Sequence, residues 1–287
     1  MRRRDTGIAL LGLLLAALGS SGCDSCSLNK RLNSTAPGAP KGDDAVGRIV
    51  WHELVTVDPK AAAAFYSEVI GWHINEDATG YSVISNDVAP LGGIKQITSD
   101  LTSAGYKSYW APTVDVDNVD KMSNVARESG ARVYVGPMDL PSGRFASVIG
   151  PGGAIFYGLQ PNPPILARDT TKPGEFNWDE LDSSNADSTI AFYSTVLGWT
   201  KQSDEVFSKD RYVKFGHGTF PVAGTHSGPG TADVWVCYIQ VVGLDVALSK
   251  ALAKGAKVVV GPLDVSDGRM VALLDPWGAV FALHEGN

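Results

Sequence analysis

The segment WHELVTVDPKAAAAFYSEVIGW, Trp51 to Trp72, decides the reading of this chain, because it returns as WDELDSSNADSTIAFYSTVLGW, Trp178 to Trp199, 127 residues further on. Two later stretches also return. GPMDLPSGR, Gly136 to Arg144, recurs as GPLDVSDGR, Gly261 to Arg269, and PGGAIFYG from Pro151 recurs as PWGAVFAL from Pro276. These lie 125 residues apart, a net deletion of two. A period this long exceeds the few tens of residues of a solenoid unit and marks duplication of a small domain. The modules are placed at residues 47–160 and 174–287, joined by a linker over 161–173.

Each module has one grammar. A strand, Ile49 to Val55 or Phe176 to Asp182, leads to a helix that opens at Asp58-Pro59 or Asn185 and closes at Gly71 or Gly198. Asp or Asn accepts a backbone hydrogen bond at a helix start, Pro suits the first turn, and Gly takes the left-handed closing position. Strand and turn follow through Tyr81 to Ile94 and Tyr212 to Thr225. A strand then enters a second helix, Trp110 to Val116 before Asn118 to Ser129, and Trp235 to Val241 before Leu244 to Ala253. Two strands flank the Gly143-Arg144 or Gly268-Arg269 turn. The result is an α+β protein.

Composition narrows the function classes. The 287 residues carry a formal charge of −7, which offers no basic face to neutralise phosphates, so no nucleic-acid partner is expected. Arg2, Arg3 and Arg4 precede an apolar run, Ile8 to Leu18, then small residues and Cys23, the order of an export signal over residues 1–22. Leu18-Gly19-Ser20-Ser21-Gly22-Cys23 resembles a bacterial lipoprotein processing site, with Cys23 as the lipidated first residue. Residues 23–46, rich in Ser, Asn, Pro, Gly and Ala, read as a flexible tether. The expected location is the bacterial cell envelope, lipid-anchored and facing outside the cytoplasm, with secretion as the alternative. Three cysteines rule out a disulfide scaffold, and Cys237 in the apolar run Val234 to Val242 reads as a buried strand residue.

Phe65-Tyr66 and Phe192-Tyr193, the Gly-Trp that ends each first helix, and Asp275-Pro276-Trp277-Gly278 resemble the glyoxalase, bleomycin-resistance and extradiol dioxygenase group, the vicinal oxygen chelate superfamily. The resemblance is greatest to its two-module bacterial members of hydroxylase-like or glyoxalase-like type, and covers Gly47 to Glu285. It implies tandem βαβββ modules whose curved mixed sheets surround a concave pocket. Enzymes of the group place His, Gln or Glu at three cup-facing positions. The matching residues here are Trp51, Ala111 and Tyr157 in one module and Trp178, Val236 and Ala282 in the other, with Gly150 replacing the usual Asp. None is an ordinary donor to a divalent ion, so no metal cofactor is expected.

What remains is a set of candidates for binding and acid-base work. Glu53 and Glu180 share the face of Trp51 and Trp178, where an apolar pocket favours the neutral carboxyl and makes each a candidate general acid or base. The rival reading pairs them with the repeated Arg144 and Arg269. Trp51, Trp178, Tyr157, Tyr238, Gln240, Thr113 and His284 are candidate ligand-binding residues of an aromatic-walled cup, against the plain alternative that they only fill it. His52 should point away from the cup, His73, His217 and His226 should be solvated, and His284, although it shares the cup-facing side of the last strand, reads more readily as a surface residue near the chain end. Trp110 and Trp235 alternate to the helix side, while Asp139 and Asp264 read as turn residues near the repeated Arg.

The expected function is binding of a small organic molecule without the usual metal, by a monomer or homodimer that meets the membrane only through its lipid. One alternative is a metal-dependent lyase, isomerase or oxygenase, glyoxalase-like or dioxygenase-like, with an unorthodox divalent site near His284, His226 and Glu180. Another is a non-catalytic envelope interaction protein.

Overall fold

The computed structural model describes residues 45–165, 170–207, 210–228, 233–265 and 267–286. The expected signal, Cys23 and the tether up to residue 44 lie outside the described residues.

In the first module, β1 (Ile49–Thr56), α1 (Pro59–Ile70), β2 (His73–Glu76), β3 (Ser82–Ser85) and β4 (Pro90–Gln96) make one βαβββ unit. A short α2 (Ser99–Ser103) leads to the next unit: β5 (Tyr109–Asp115), α3 (Val119–Glu128), β6 (Arg132–Leu140), β7 (Gly143–Ile149) and β8 (Ile155–Pro161). The second module repeats this with β9 (Phe176–Ser183), α4 (Ala186–Leu197), β10 (Thr200–Phe207), β11 (Asp210–His217) and β12 (Phe220–Ser227), then β13 (Val234–Gln240), α5 (Leu244–Ala253), β14 (Lys257–Val265), β15 (Gly268–Leu274) and β16 (Val280–Gly286). Each module forms one eight-stranded mixed sheet, ordered β2-β3-β4-β1-β5-β8-β7-β6 and β10-β11-β12-β9-β13-β16-β15-β14. This is the α+β tandem architecture expected from the repeat.

The helix ends form as their residues dictate. Asp58 accepts from the Ala61 amide at 3.0 Å and Asn185 from the Ser188 amide at 3.1 Å. Gly71 and Gly198 close α1 and α4 at φ 89° and 68°, a left-handed conformation that a side chain would strain.

The modules are joined through their helix sides. α1 packs on α5, and α3 on α4. One apolar core unites Phe65, Tyr66, Trp72 and Trp110 with Phe176, Ile239, Leu244 and Phe281, and a second unites Met122 and Phe156 with Phe192, Tyr193, Trp199 and Trp235. Each of these large side chains contributes on the order of 2 kcal/mol on burial, so the shared cores dominate the association. Two equivalent hydrogen bonds show its two-fold character. The Trp72 indole donates to the Gly174 carbonyl at 2.8 Å and the Trp199 indole to the Gly47 carbonyl at 2.7 Å. Alternation then turns the opposite face of each sheet away from the shared cores, and each such face carries its own apolar cluster.

Candidate functional site

In the first module Trp51, Glu53 and Val55 alternate onto the outer face of β1, while His52 and Leu54 turn to the helices. Ladder register sets Trp51 beside Thr113 and Thr113 beside Tyr157, and sets Glu53 between Ala111 and Gly93. Tyr157, Val55, Ile97, Leu101 and Ile155 make the floor, with Tyr106, Tyr109 and Phe145 partly buried against it. Trp51, Tyr81 and Lys95 are likewise only partly buried, so this cup has an accessible aromatic rim.

Glu53 lies at its centre, 4% exposed. Its Oε2 accepts from the Trp51 indole at 3.1 Å and from the Tyr81 hydroxyl at 3.0 Å. Its Oε1 has no hydrogen-bond partner, and the Lys95 ammonium stands 3.6 Å away. Burial raises the carboxyl above its ordinary pKa, opposed by Lys95, Tyr81 and Trp51. Burial also raises the Tyr81 phenol, with the charge of Glu53 acting the same way, and it raises Tyr109 and Tyr157. All three remain neutral donors near pH 7. The Lys95 ammonium rests over the Tyr157 ring, 4.7 Å from its centroid. Gly93 makes the Glu53–Tyr81 bond possible, since a Cβ there would lie 1.9 Å from the Tyr81 oxygen.

The second module keeps the frame and changes the lining. Glu180 sits in register with Val236 and Gly224, and a Cβ on Gly224 would lie 2.3 Å from the Tyr212 oxygen. The Trp178 indole donates to Tyr212 at 3.2 Å. Yet Trp178, Glu180, Tyr212 and Tyr238 are all 5% exposed or less, so this face is closed to solvent where that of the first module is partly open. Its far end is polar. The Asn177 amide lies 2.7 Å from His284 Nδ1 and 2.9 Å from Gln240 Oε1, with Asp267 3.6 Å from His284 Nε2.

Several expectations are corrected. Arg144 does not reach Glu53; it holds Asp120 at 2.6 Å and Asp139 at 2.8 Å on the surface. Arg269 likewise holds Asp245 at 3.0 Å rather than Glu180. His284 is not a surface residue but is 3% exposed, because β16 is an inner strand of the sheet. His226 is no solvated loop histidine: it is buried in β12, 3.1 Å from Asp182 and 3.7 Å from Asp210. His73 is solvated as expected. His52 points away from the cup, as expected, but onto Asp179 of the other module. Trp110, Trp235 and Cys237 are core residues. Tyr81 and Lys95 were missed; their signal was the Gly93 beside them, which leaves space on the cup face of β4.

Trp51, Thr113, Ala111 and Tyr157 do not fit a divalent ion, which calls for carboxylate, imidazole or thiolate donors. His226 and His284 each engage their own neighbours, and among the described residues no three His, Cys, Asp or Glu residues converge to hold a metal.

Comparison with known proteins agrees with the fold. Residues 48–86 match the family model for the bleomycin resistance protein-like N-terminal region. The putative glyoxylase CFP32 of Mycobacterium tuberculosis is 29% identical over 242 residues, covering 81% of this chain and 92% of that protein. The anthracycline biosynthesis protein DauV of Streptomyces sp. strain C5 is 28% identical over 268 residues, covering 87% and 94%. The Mn(II)-bound glyoxalase of Novosphingobium aromaticivorans superposes with a TM-score of 0.61 at 17% identity, covering 85% of this chain and 83% of that one. The 2,3-dioxygenase LapB of Pseudomonas sp. KL28 superposes with a TM-score of 0.58 at 12% identity, covering 85% and 93%. The matched segment, the relatives and the shared tandem fold together support a likeness to the glyoxalase and bleomycin-resistance-like proteins of the vicinal oxygen chelate superfamily.

Proposed function

We propose that the chain is an exported, lipid-anchored binding protein that takes a planar aromatic molecule into the cup of its first module, with no metal in the usual position. The observation that carries this reading is the buried Glu53 carboxylate, whose Oε1 has no hydrogen-bond partner at the centre of a partly open ring of Trp51, Tyr81, Tyr109 and Phe145. Aromatic walls supply most of the contact with a planar ligand, and one buried acceptor fixes its orientation by receiving a ligand O–H or N–H. Glu53 is also the group that would take a proton from such a donor, since its raised pKa brings it nearer neutrality. A relative named for anthracycline biosynthesis fits a fused-ring aromatic ligand.

The test is a titration with 1,4-dihydroxyanthraquinone, followed by tryptophan fluorescence. Glu53→Gln, folded by circular dichroism, should bind about tenfold more weakly, the worth of one hydrogen bond to a charged group. Equal weakening by Glu180→Gln would move the site to the second module, and no binding by the parent chain would sink the reading.

A further inference from the structure

Lys95 does in the first cup what a ligand cation would do. Its ammonium lies 3.6 Å from Glu53 Oε1 and 4.7 Å from the centroid of Tyr157, so one charge is shared between a buried carboxylate and an aromatic face. Those two partners are what an organic ammonium needs for recognition. The lysine is the mobile member of the group. Its side chain is 39% exposed against 6% for Glu53, and it hangs on a flexible four-carbon stem that can carry its charge into water.

We propose that the first cup selects aromatic molecules bearing an ammonium group, and that Lys95 is a built-in occupant of the ammonium position which such a ligand displaces. The proposal rests on the reading of this cup as a small-molecule site and narrows its ligand class. An anion is disfavoured there, because drawing Lys95 toward itself would strip Glu53 of its counter-charge and set two negative groups side by side. A neutral donor reaches Oε1 but gains nothing from Tyr157. An ammonium takes both partners and releases Lys95 to solvent. The second module lacks this arrangement: His226 stands at the position of Lys95 and pairs with Asp182, and Ala282 stands at the position of Tyr157.

The test uses two probes with one aromatic body, 2-naphthylmethylammonium and the neutral 2-naphthylmethanol, titrated at pH 8 into the full chain and into Lys95→Met. Removing the resident cation should tighten the ammonium about tenfold and leave the alcohol within about twofold. In the parent chain, saturating ammonium should also speed acetylation of Lys95, read by peptide mass spectrometry, whereas the alcohol should not. If the alcohol binds but Lys95→Met leaves the ammonium unchanged or weakened, and Lys95 acetylation is unaffected, the ammonium proposal is overturned while the cup reading stands. If neither probe binds either protein, both are overturned.

Discussion

His52 and Asp179 occupy the same position in the two repeats, 127 residues apart, and they bond to each other: Nε2 lies 2.9 Å from Oδ1 and 3.0 Å from Oδ2, with both side chains 7% exposed. The His52 ring also stacks on Phe176 at 3.7 Å. Equivalent residues meet only where a two-fold axis passes between them. Here duplication has let the two copies diverge into complementary partners, which two identical chains could not do.

Asp179→Ala should therefore cost about 3 kcal/mol of stability, because it leaves His52 buried without its acceptor. His52→Ala should cost a comparable amount, and the double variant less than the sum. Urea unfolding of the four proteins checks this; additivity within about 0.5 kcal/mol would show that the pair is not coupled.

Tyr66 and Asp275 form a second link between modules, with the phenol donating to Oδ2 at 3.1 Å. Burial pushes the Asp275 carboxyl up to about 6, against an ordinary 3.8. A raised folded pKa means that the folded state holds the proton more tightly. The stabilisation is fully present below pH 3.8 and is lost as pH rises through about 6. Asp275→Asn should flatten the stability curve between pH 4 and 7 by up to about 3 kcal/mol. Unchanged slopes would refute the assignment.

Gly93→Ala should displace Tyr81 from Glu53, since the added Cβ would meet the phenol oxygen. Overpacking of this kind costs about 1–3 kcal/mol and should lower affinity for an aromatic ligand. Gly224→Ala should destabilise in the same way through Tyr212 but spare the ligand. Equal loss of binding in both variants would contradict the placing of the site in the first cup.

Arg144→Ala should leave ligand affinity within about twofold, because its partners Asp120 and Asp139 are exposed surface carboxylates. A large loss would revive a role for the repeated arginine in the cup.

The repeat, the helix caps and the two faces of β1 were legible because each depends on residues close in sequence. Asp58, Asn185, Gly71 and Gly198 act within one turn, and strand alternation turned His52 away from Glu53. The partners of those residues were not legible. His52 finds Asp179 across the module interface, and Glu53 finds Tyr81, just ahead of β3, and Lys95 on β4, which pairs parallel to β1 through a crossover connection. His284 was misplaced because nearness to the chain end suggests exposure, whereas β16 lies between β13 and β15.

Native mass spectrometry of the full chain, purified without chelator and then denatured to release what it holds, tests the first-cup reading against its rivals. One aromatic organic mass per chain, lost in Glu53→Gln and Trp51→Ala and kept in Glu180→Gln, is the predicted result. A stoichiometric divalent metal, or an organic mass kept in Glu53→Gln and lost in Glu180→Gln, would contradict it.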